Sequence, residues 1–472
     1  MVVVQHFQEL IDTLDKTKLL SIPKCKEPSM KIEYKNCHSD NKTVYNGPDP
    51  ILPFAASEIF LATINKWRRL TINVDENCKS VYEVSFDIEG SNFDFIPGDT
   101  IGIVPQNNKS EVDEIINHLD LIDVVDLNYT LSVASEQKGA KIPAYVPVTS
   151  TLRHVLTHCV DLRGIIKKLF LLALAQHTKD KCEKRLLEYL CSKEGSSEYT
   201  THILNKRISV LDLFKLFKSC KPPIEVILEH LPRLLPRPYS IVNTKSSNPN
   251  ILKICFSVLD IGDNKKGITT GWLEEIILQK FNIEEKMNNL NLYNESVKVP
   301  IYIRKNVNEF CLPKNTETPL ILIGPGTGVS PFIGFLEERE HLQKKYPEKK
   351  FGSVWLFFGC RNPKLDFIYE DELTKFTSKG VISKFLTSFS RVENADFHYV
   401  QDAIIKNGEE VTKLIMEGAQ VYVCGDIKNM ATQVKDAIRQ SIAKHGNLNE
   451  EEAENFIDIM QKEKRYLSDV WN

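Results

Sequence analysis

The sequence predicts an α/β plus all-β protein: an antiparallel β domain that carries a helical insertion, followed by a doubly wound parallel sheet. Three observations point there. LTINVDE (70–76) and VYEVSFDIEG (81–90) alternate apolar and polar residues, as half-buried antiparallel strands do. Between about Thr149 and Leu231 the apolar period turns helical, with no strand-like alternation. From Thr318 onward, short apolar runs alternate with helical stretches, the pattern of parallel strands joined by crossover helices. The expected organisation is an N-terminal segment and linker (1–52), a β domain in two pieces (53–148 and 232–312), a helical connecting insertion (149–231) and a parallel-sheet domain (313–472).

In chain order, residues 7–14 suit one short helix, and the polar, Cys- and Lys-rich run that follows to Pro50 reads as linker. FIPGDTIGIVP (95–105) sets a Pro-Gly-Asp turn before an alternating strand, and 110–119 forms an amphipathic helix. The insertion is built from 152–177, 184–195, 208–220 and 224–231. Strand-like sequence resumes at Arg237 and continues in ILKICFSVLD (251–260).

Composition narrows the function classes. The 472 residues are 42% hydrophobic and 26% charged, which suits two or three globular domains. A net charge of −3 leaves no footprint for nucleic acid or an anionic membrane surface, so neither is expected as a partner. The 11 cysteines lack CxxC spacing and suggest neither a disulfide framework nor a metal site. The longest apolar run, LFLLALA (169–175), is too short to span a bilayer, and the N-terminal VVV is no signal-peptide core. A cytoplasmic location is expected.

Pro319–Leu336, PLILIGPGTGVSPFIGFL, is the stretch on which the chemistry turns. A buried strand, LILI, runs into Gly324, Gly326 and Gly328, then into a helix for which Ser330 and Pro331 suit the N-cap and first position. Free N–H groups at such a turn, with the helix dipole behind them, cradle a phosphate. The spacing is not GxGxxG, and a glycine turn here is also a purely structural device.

Later strand ends add polar groups where a nucleotide would lie in a doubly wound sheet. Gly359-Cys360-Arg361, Ser390-Arg391 and Cys424-Gly425-Asp426 each end a strand-like run. A hydroxyl beside an arginine suits a 2′-phosphate, because guanidinium offers a charge-assisted fork; alone, it is equally a solvated turn. Cys424 is either a small buried residue or a polarisable sulfur beside a reacting ring. Trp471 is either an anchor or a cover for a flat cofactor ring, and Asp469 either a solvated carboxylate or a partner for a catalytic group. In RPYS, Arg237 would neutralise a pyrophosphate, Tyr239 would stack on a flavin-like ring, and Ser240 would hydrogen-bond near its reactive nitrogen. Gly267-Ile268-Thr269-Thr270, just ahead of the helix TGWLEEI, is a second anion cradle. Two cradles in two domains imply two phosphate-bearing cofactors.

The ordered set RPYS, GITTGWL, GPGTGVSPFIGFLEER, FFGCR, SFSR, YVQD, YVCGD-x-KNM and DVW resembles the ferredoxin–NADP reductase module of the diflavin reductase family. LCSKEGSSEY, LEHLPRLLPRPYS, VWLFFGCR and KRYLSDVW resemble its methionine synthase reductase branch in particular. The likeness covers roughly residues 53–472 and implies an antiparallel flavin-binding β-barrel and an NADPH-oxidising reductase. By that resemblance FAD is bound by Arg237, Tyr239 and Ser240, lies along Cys255–Ser257, and has its pyrophosphate at Gly267, Ile268, Thr269 and Thr270. NADPH is gripped by Gly326, Thr327 and Arg361; Ser390, Arg391 and Tyr399 take its 2′-phosphate and adenine, with Asp426, Asn429 and Met430 beside them. Ser240, Cys424 and Asp469 resemble the hydride-transfer trio, and Trp471 resembles the aromatic that shields the flavin. Retention of the whole trio argues against a non-catalytic docking protein.

Two departures from the family pattern stand out. No FMN-binding flavodoxin domain is recognisable before Pro50, so FMN is not expected on this chain, and electrons leaving FAD would pass to methionine synthase or to a separate flavodoxin-like carrier. Relatives often carry a lysine just before the tyrosine matched by Tyr399, where this chain has Asp396, Phe397 and His398. Discrimination against NADH is expected to be weaker for it.

Overall fold

The computed structural model describes residues 7, 10, 19–24, 27–38, 52–72, 78–134, 141–262, 265–287 and 297–471, without the side chains of 36–38, 280–287 and 428–429. Most of the helix expected at 7–14 lies outside the described residues. The described strands are β1 (Met30–His38), β2 (Phe60–Arg69), β3 (Val81–Asp87), β4 (Thr100–Ile103) and β5 (Leu127–Val133). They continue as β6 (Thr149–Thr151), β7 (Arg237–Ser240), β8 (Ile251–Ser257), β9 (Lys298–Ile303) and β10 (Leu320–Ile323). The last four are β11 (Val354–Cys360), β12 (Lys384–Phe389), β13 (Gln420–Asp426) and β14 (Tyr466–Trp471).

The chain divides into two compact units, one of residues 1–52 with 105–235, the other of 53–104 with 236–472. In the first, β1, β5 and β6 form an antiparallel sheet in the order β1-β5-β6. Met30–His38 therefore corrects the linker reading of this region. The strand alternates Met30, Ile32 and Tyr34 toward the apolar cluster, a period that its lysines and glutamate obscure. Helices Leu152–His158, Lys168–Gln176, Lys181–Cys191, Val210–Leu216 and Ile224–His230 share one apolar cluster with this sheet. Residues 105–148, grouped with the β domain by their strands, pack into this unit. Several of its helices start on a side-chain cap: Asp180 accepts from the backbone N–H groups of Cys182 and Glu183, and Ser209 forms a capping box with Asp212.

The second unit holds two sheets. Six antiparallel strands run in the order β7-β4-β9-β2-β3-β8 around a core that includes Ile101, Ile303, Val84 and Phe256. Five parallel strands run in the order β12-β11-β10-β13-β14. That order reverses direction between β10 and β13, and ligands bind at the strand ends beside such a switch point. All four residues of β10 are buried, each contributing roughly 1.5–3 kcal/mol of hydrophobic stabilisation.

Candidate active site

At the switch point, β10 does not turn directly into a capped helix. A 3₁₀ turn, Gly326–Val329, leads without a break into the α-helix Ser330–Lys345, whose N-cap position is Val329. This corrects the expected cap: Ser330 is the first helical residue, and its hydroxyl donates backward to the Thr327 carbonyl at 2.6 Å. Gly328 is required by packing, since a Cβ there would stand 2.1 Å from the Cys424 carbonyl oxygen. Gly326 is required by conformation, with φ +55°, and a Cβ there would meet no atom within 4 Å.

Gly326 and Thr327 line a cavity of about 560 Å³. Arg361, Ser390, Arg391, Tyr399 and Met430 line the same cavity, as does Ser257 from the end of β8. The strand ends are stitched together: the Ser390 N–H donates to the Cys360 carbonyl (3.0 Å) and the Arg391 N–H to the Arg361 carbonyl (2.9 Å). Arg361 is oriented by Asp366 at 2.9 Å. Sequence reasoning missed Lys79, which precedes β3 and reaches the cavity only through the pairing of the β domain; His398 also lines it. Lys79, Arg361 and Arg391 face a single carboxylate, Asp366, a balance suited to a phosphorylated anion. The volume lies within the usual range for small-molecule sites, and the protein leaves open the space above Gly326, so an NADPH-sized ligand fits these residues.

Asp426 does not line this cavity; it ends β13 as an exposed residue. The helix expected from Asn429 begins instead with a π-helical turn, Ile427–Ala431, followed by the α-helix Thr432–His445. The side chain of Asn429 lies outside the described residues.

A second group forms where β7 meets β14. The Ser240 hydroxyl donates to Asp469 Oδ2 at 2.6 Å, across 229 residues of chain. Cys424 sits directly opposite Asp469 in the parallel β13–β14 pairing and is fully buried. Burial pushes the Asp469 carboxyl above its ordinary range; the Ser240 hydrogen bond and the Arg304 charge pull it partly back. Burial also pushes the Cys424 thiol well up, with the Asp469 charge adding to it, which keeps the sulfur protonated and soft rather than nucleophilic. Two residue pairs further along, Trp471 stands opposite Asp426 and is 40% exposed.

Arg237, Tyr239 and Ser240 all lie on β7, paired with β4, and Tyr239 meets Phe256 edge-on with ring centroids 6.2 Å apart. The helix Ile268–Met287 begins two residues before the expected start at Thr270, so Thr269 and Thr270 belong to its first turn behind Gly267. Thr270 accepts from the Leu259 N–H, while the Thr269 hydroxyl is buried with no hydrogen-bond partner among the described residues. An orphaned hydroxyl at a helix N-terminus fits a pyrophosphate oxygen, so the residues present suit FAD. Cys255, on β8, turns the other way from its neighbour Phe256. Its side chain belongs to the apolar cluster of Phe332 and Phe335, away from the β8 face that carries Phe256, and burial pushes its thiol up to about 12.

A family model for an FAD binding domain matches residues 52–272, and one for an oxidoreductase NAD-binding domain matches 322–436. Methionine synthase reductase of Rattus norvegicus is 34% identical over 98% of this chain and 69% of its own length. The Homo sapiens protein of that name is also 34% identical, with the same coverage. NADPH–cytochrome P450 reductase of Drosophila melanogaster is 33% identical over 89% of this chain and 59% of its own length. Among the described residues no helix is long and apolar enough to cross a membrane. With both nucleotide domains matched and relatives aligned along nearly all of its length, the chain belongs to the methionine synthase reductase family, NADPH-dependent flavoprotein reductases that use FAD.

Proposed function

We propose that this reductase works in the cytosol, takes hydride from NADPH to FAD, and sends the electrons on for reductive reactivation of cobalamin-dependent methionine synthase. The observation that carries the hydride step is the Ser240–Asp469 hydrogen bond with Cys424 opposite it, a half-buried hydroxyl and carboxylate and a fully buried sulfur converging from three strands. In this reading Gly326, Thr327 and Arg361 hold the NADPH pyrophosphate, Ser390, Arg391 and Tyr399 its 2′-phosphate and adenine, with Met430, Asp426 and Asn429 close by. Arg237, Tyr239 and Ser240 seat FAD with Gly267 to Thr270. An FAD domain of 53–148 with 232–312, an insertion of 149–231 and an NADPH domain of 313–472 are proposed as its functional domains, except that 105–148 go with the insertion, into whose unit they pack.

Hydride acceptance and donation are supplied by the bound cofactors, and the protein's part is orientation, proton placement and water exclusion. Ser240 would present its hydroxyl to a bound flavin, and Asp469, which accepts from it, would fix that hydroxyl's direction and serve as a proton relay. Cys424 fills the space behind them without competing as a base. Trp471, 40% exposed at the end of β14, would be the side chain that shields a bound flavin ring from water. Replacing Ser240 by alanine is expected to slow flavin reduction by NADPH about tenfold or more with FAD content kept; an unchanged rate contradicts the assignment.

The acceptor is tested by cobalamin reduction on methionine synthase, with and without an added flavodoxin-type protein. The match to NADPH–cytochrome P450 reductase supports a second reading, in which a separate flavodoxin or a haemoprotein takes the electrons. Reduction of those acceptors but not of cobalamin, under either condition, would favour it.

A further inference from the structure

Arg304 stands out among the groups that the hydride reading leaves unused. It follows β9 immediately, is half-buried, and enters no ion pair among the described residues. Its backbone N–H donates to the Thr100 carbonyl at 2.9 Å, one step along from the Ile101–Ile303 pair. Thr100 in turn pairs directly with Ser240. Paired residues on neighbouring antiparallel strands share a face. Ile101 and Ile303 point into the barrel core, so the next row, Arg304–Thr100–Ser240, faces outward, toward the hydroxyl that Asp469 accepts from. Two strand spacings separate the row's ends, about 10 Å between backbones, most of which an arginine side chain spans. The guanidinium lies over the Phe54 ring, 5.4 Å from its centroid, and the Phe54 carbonyl accepts from the Lys305 N–H. A stacked aromatic holds a guanidinium's direction without neutralising its charge.

We propose that Arg304 is a positioning residue for the hydride step: its guanidinium, held on Phe54, keeps the Asp469 carboxylate ionised and turned toward Ser240. This rests on the reading of Ser240, Cys424 and Asp469 given above. The charged and titratable groups acting on Asp469 are Arg304 from the end of β9 and the Cys424 thiol from β13; β7 adds the Ser240 hydroxyl. Burial drives the carboxyl toward its neutral form, and of these groups Arg304 alone brings a positive charge against that drive. A neutral Asp469 would be a hydrogen-bond donor in its own right and could turn away from the Ser240 hydroxyl, so the arginine fixes the direction of that bond as well as the charge.

The test titrates the full-length, FAD-loaded protein carrying carboxyl-labelled aspartate, by carbon NMR, with the Asp469 signal identified by its loss in Asp469→Asn. Arg304→Gln is expected to move that titration to higher pH, and Arg304→Lys to move it less. Flavin reduction by NADPH should follow suit, with the limb of its pH profile that disappears in Asp469→Asn displaced upward in Arg304→Gln. Phe54→Leu, which removes the platform but no charge, is the second variant should Arg304→Gln lose FAD, and a smaller shift in the same direction is expected. An Asp469 titration unchanged in both Arg304→Gln and Phe54→Leu overturns the proposal. So does a pH-profile shift that Arg304→Gln still produces on top of Asp469→Asn. If Asp469→Asn leaves flavin reduction unaltered, the hydride reading falls by itself, while the titration still decides whether Arg304 governs the carboxylate.

Discussion

Two places at the carboxyl ends of the parallel strands are built on opposite principles. The cavity at Gly326, Arg361 and Arg391 is open, cationic and assembled from strand-end loops. The cluster of Ser240, Cys424 and Asp469 is packed into paired strands, with the sulfur fully buried and the carboxyl raised by desolvation. Binding a polyanion needs charges that water can reach before the ligand arrives, whereas orienting a hydride transfer needs groups whose positions and protonation are fixed in advance. The contrast separates affinity from chemistry, and Gly328 is where the two meet, with its backbone against the Cys424 carbonyl.

The hardest blow to this arrangement is expected at that junction. Gly328→Ala would put a methyl group 2.1 Å from a backbone oxygen that cannot move independently of β13, costing about 2 kcal/mol or more. The expected readouts are a lowered thermal midpoint and loss of both NADPH binding and flavin reduction. Retention of all three would mean that the two places are not coupled through this contact.

A narrower effect is expected from the cavity alone. Arg391→Ala removes a charge-assisted contact of about 1.5–3 kcal/mol, so the KM for NADPH should rise roughly ten- to hundredfold with kcat little changed. NADH kinetics should stay as they were; an equal loss with both nucleotides would place Arg391 away from the 2′-phosphate.

The smallest effect concerns stability. Burial raises the folded pKa of Asp469 above its unfolded value, so its contribution is fully present below the unfolded pKa and is lost as pH rises through the folded one. Asp469→Asn is therefore expected to raise the thermal midpoint by a few degrees at neutral pH and to lose that advantage in acid. A midpoint lowered equally at both pH values would contradict the desolvation argument.

Much of this architecture is legible in the amino-acid order, for identifiable reasons. LILI and VYVCG are short, apolar and followed by glycine, and they form β10 and β13 beside the switch point. RPYS proved to be β7. The strand Met30–His38 was hidden because Lys31, Glu33 and Lys35 alternate with its apolar residues and make it look like linker. Lys79 could not be found by motif, since only the pairing of β3 with β8 brings it to the cavity beside Ser257. The Ser240–Asp469 bond joins residues 229 apart, a contact that no local pattern encodes; family resemblance pointed to the trio, and the strand order supplied its geometry. The packing of Cys255 follows from period-2 alternation, which places its side chain opposite Phe256, on the face that packs against Phe332.

The division between binding and chemistry is tested most directly by anaerobic stopped-flow reduction of the FAD-loaded protein over a range of NADPH concentrations. Wild type, Arg391→Ala and Asp469→Asn would be compared. The expected result is that Arg391→Ala shifts the half-saturating concentration and leaves the plateau rate nearly intact, while Asp469→Asn lowers the plateau about a hundredfold at an unchanged half-saturation. An Asp469→Asn plateau equal to wild type, or an Arg391→Ala loss confined to the plateau, would contradict it.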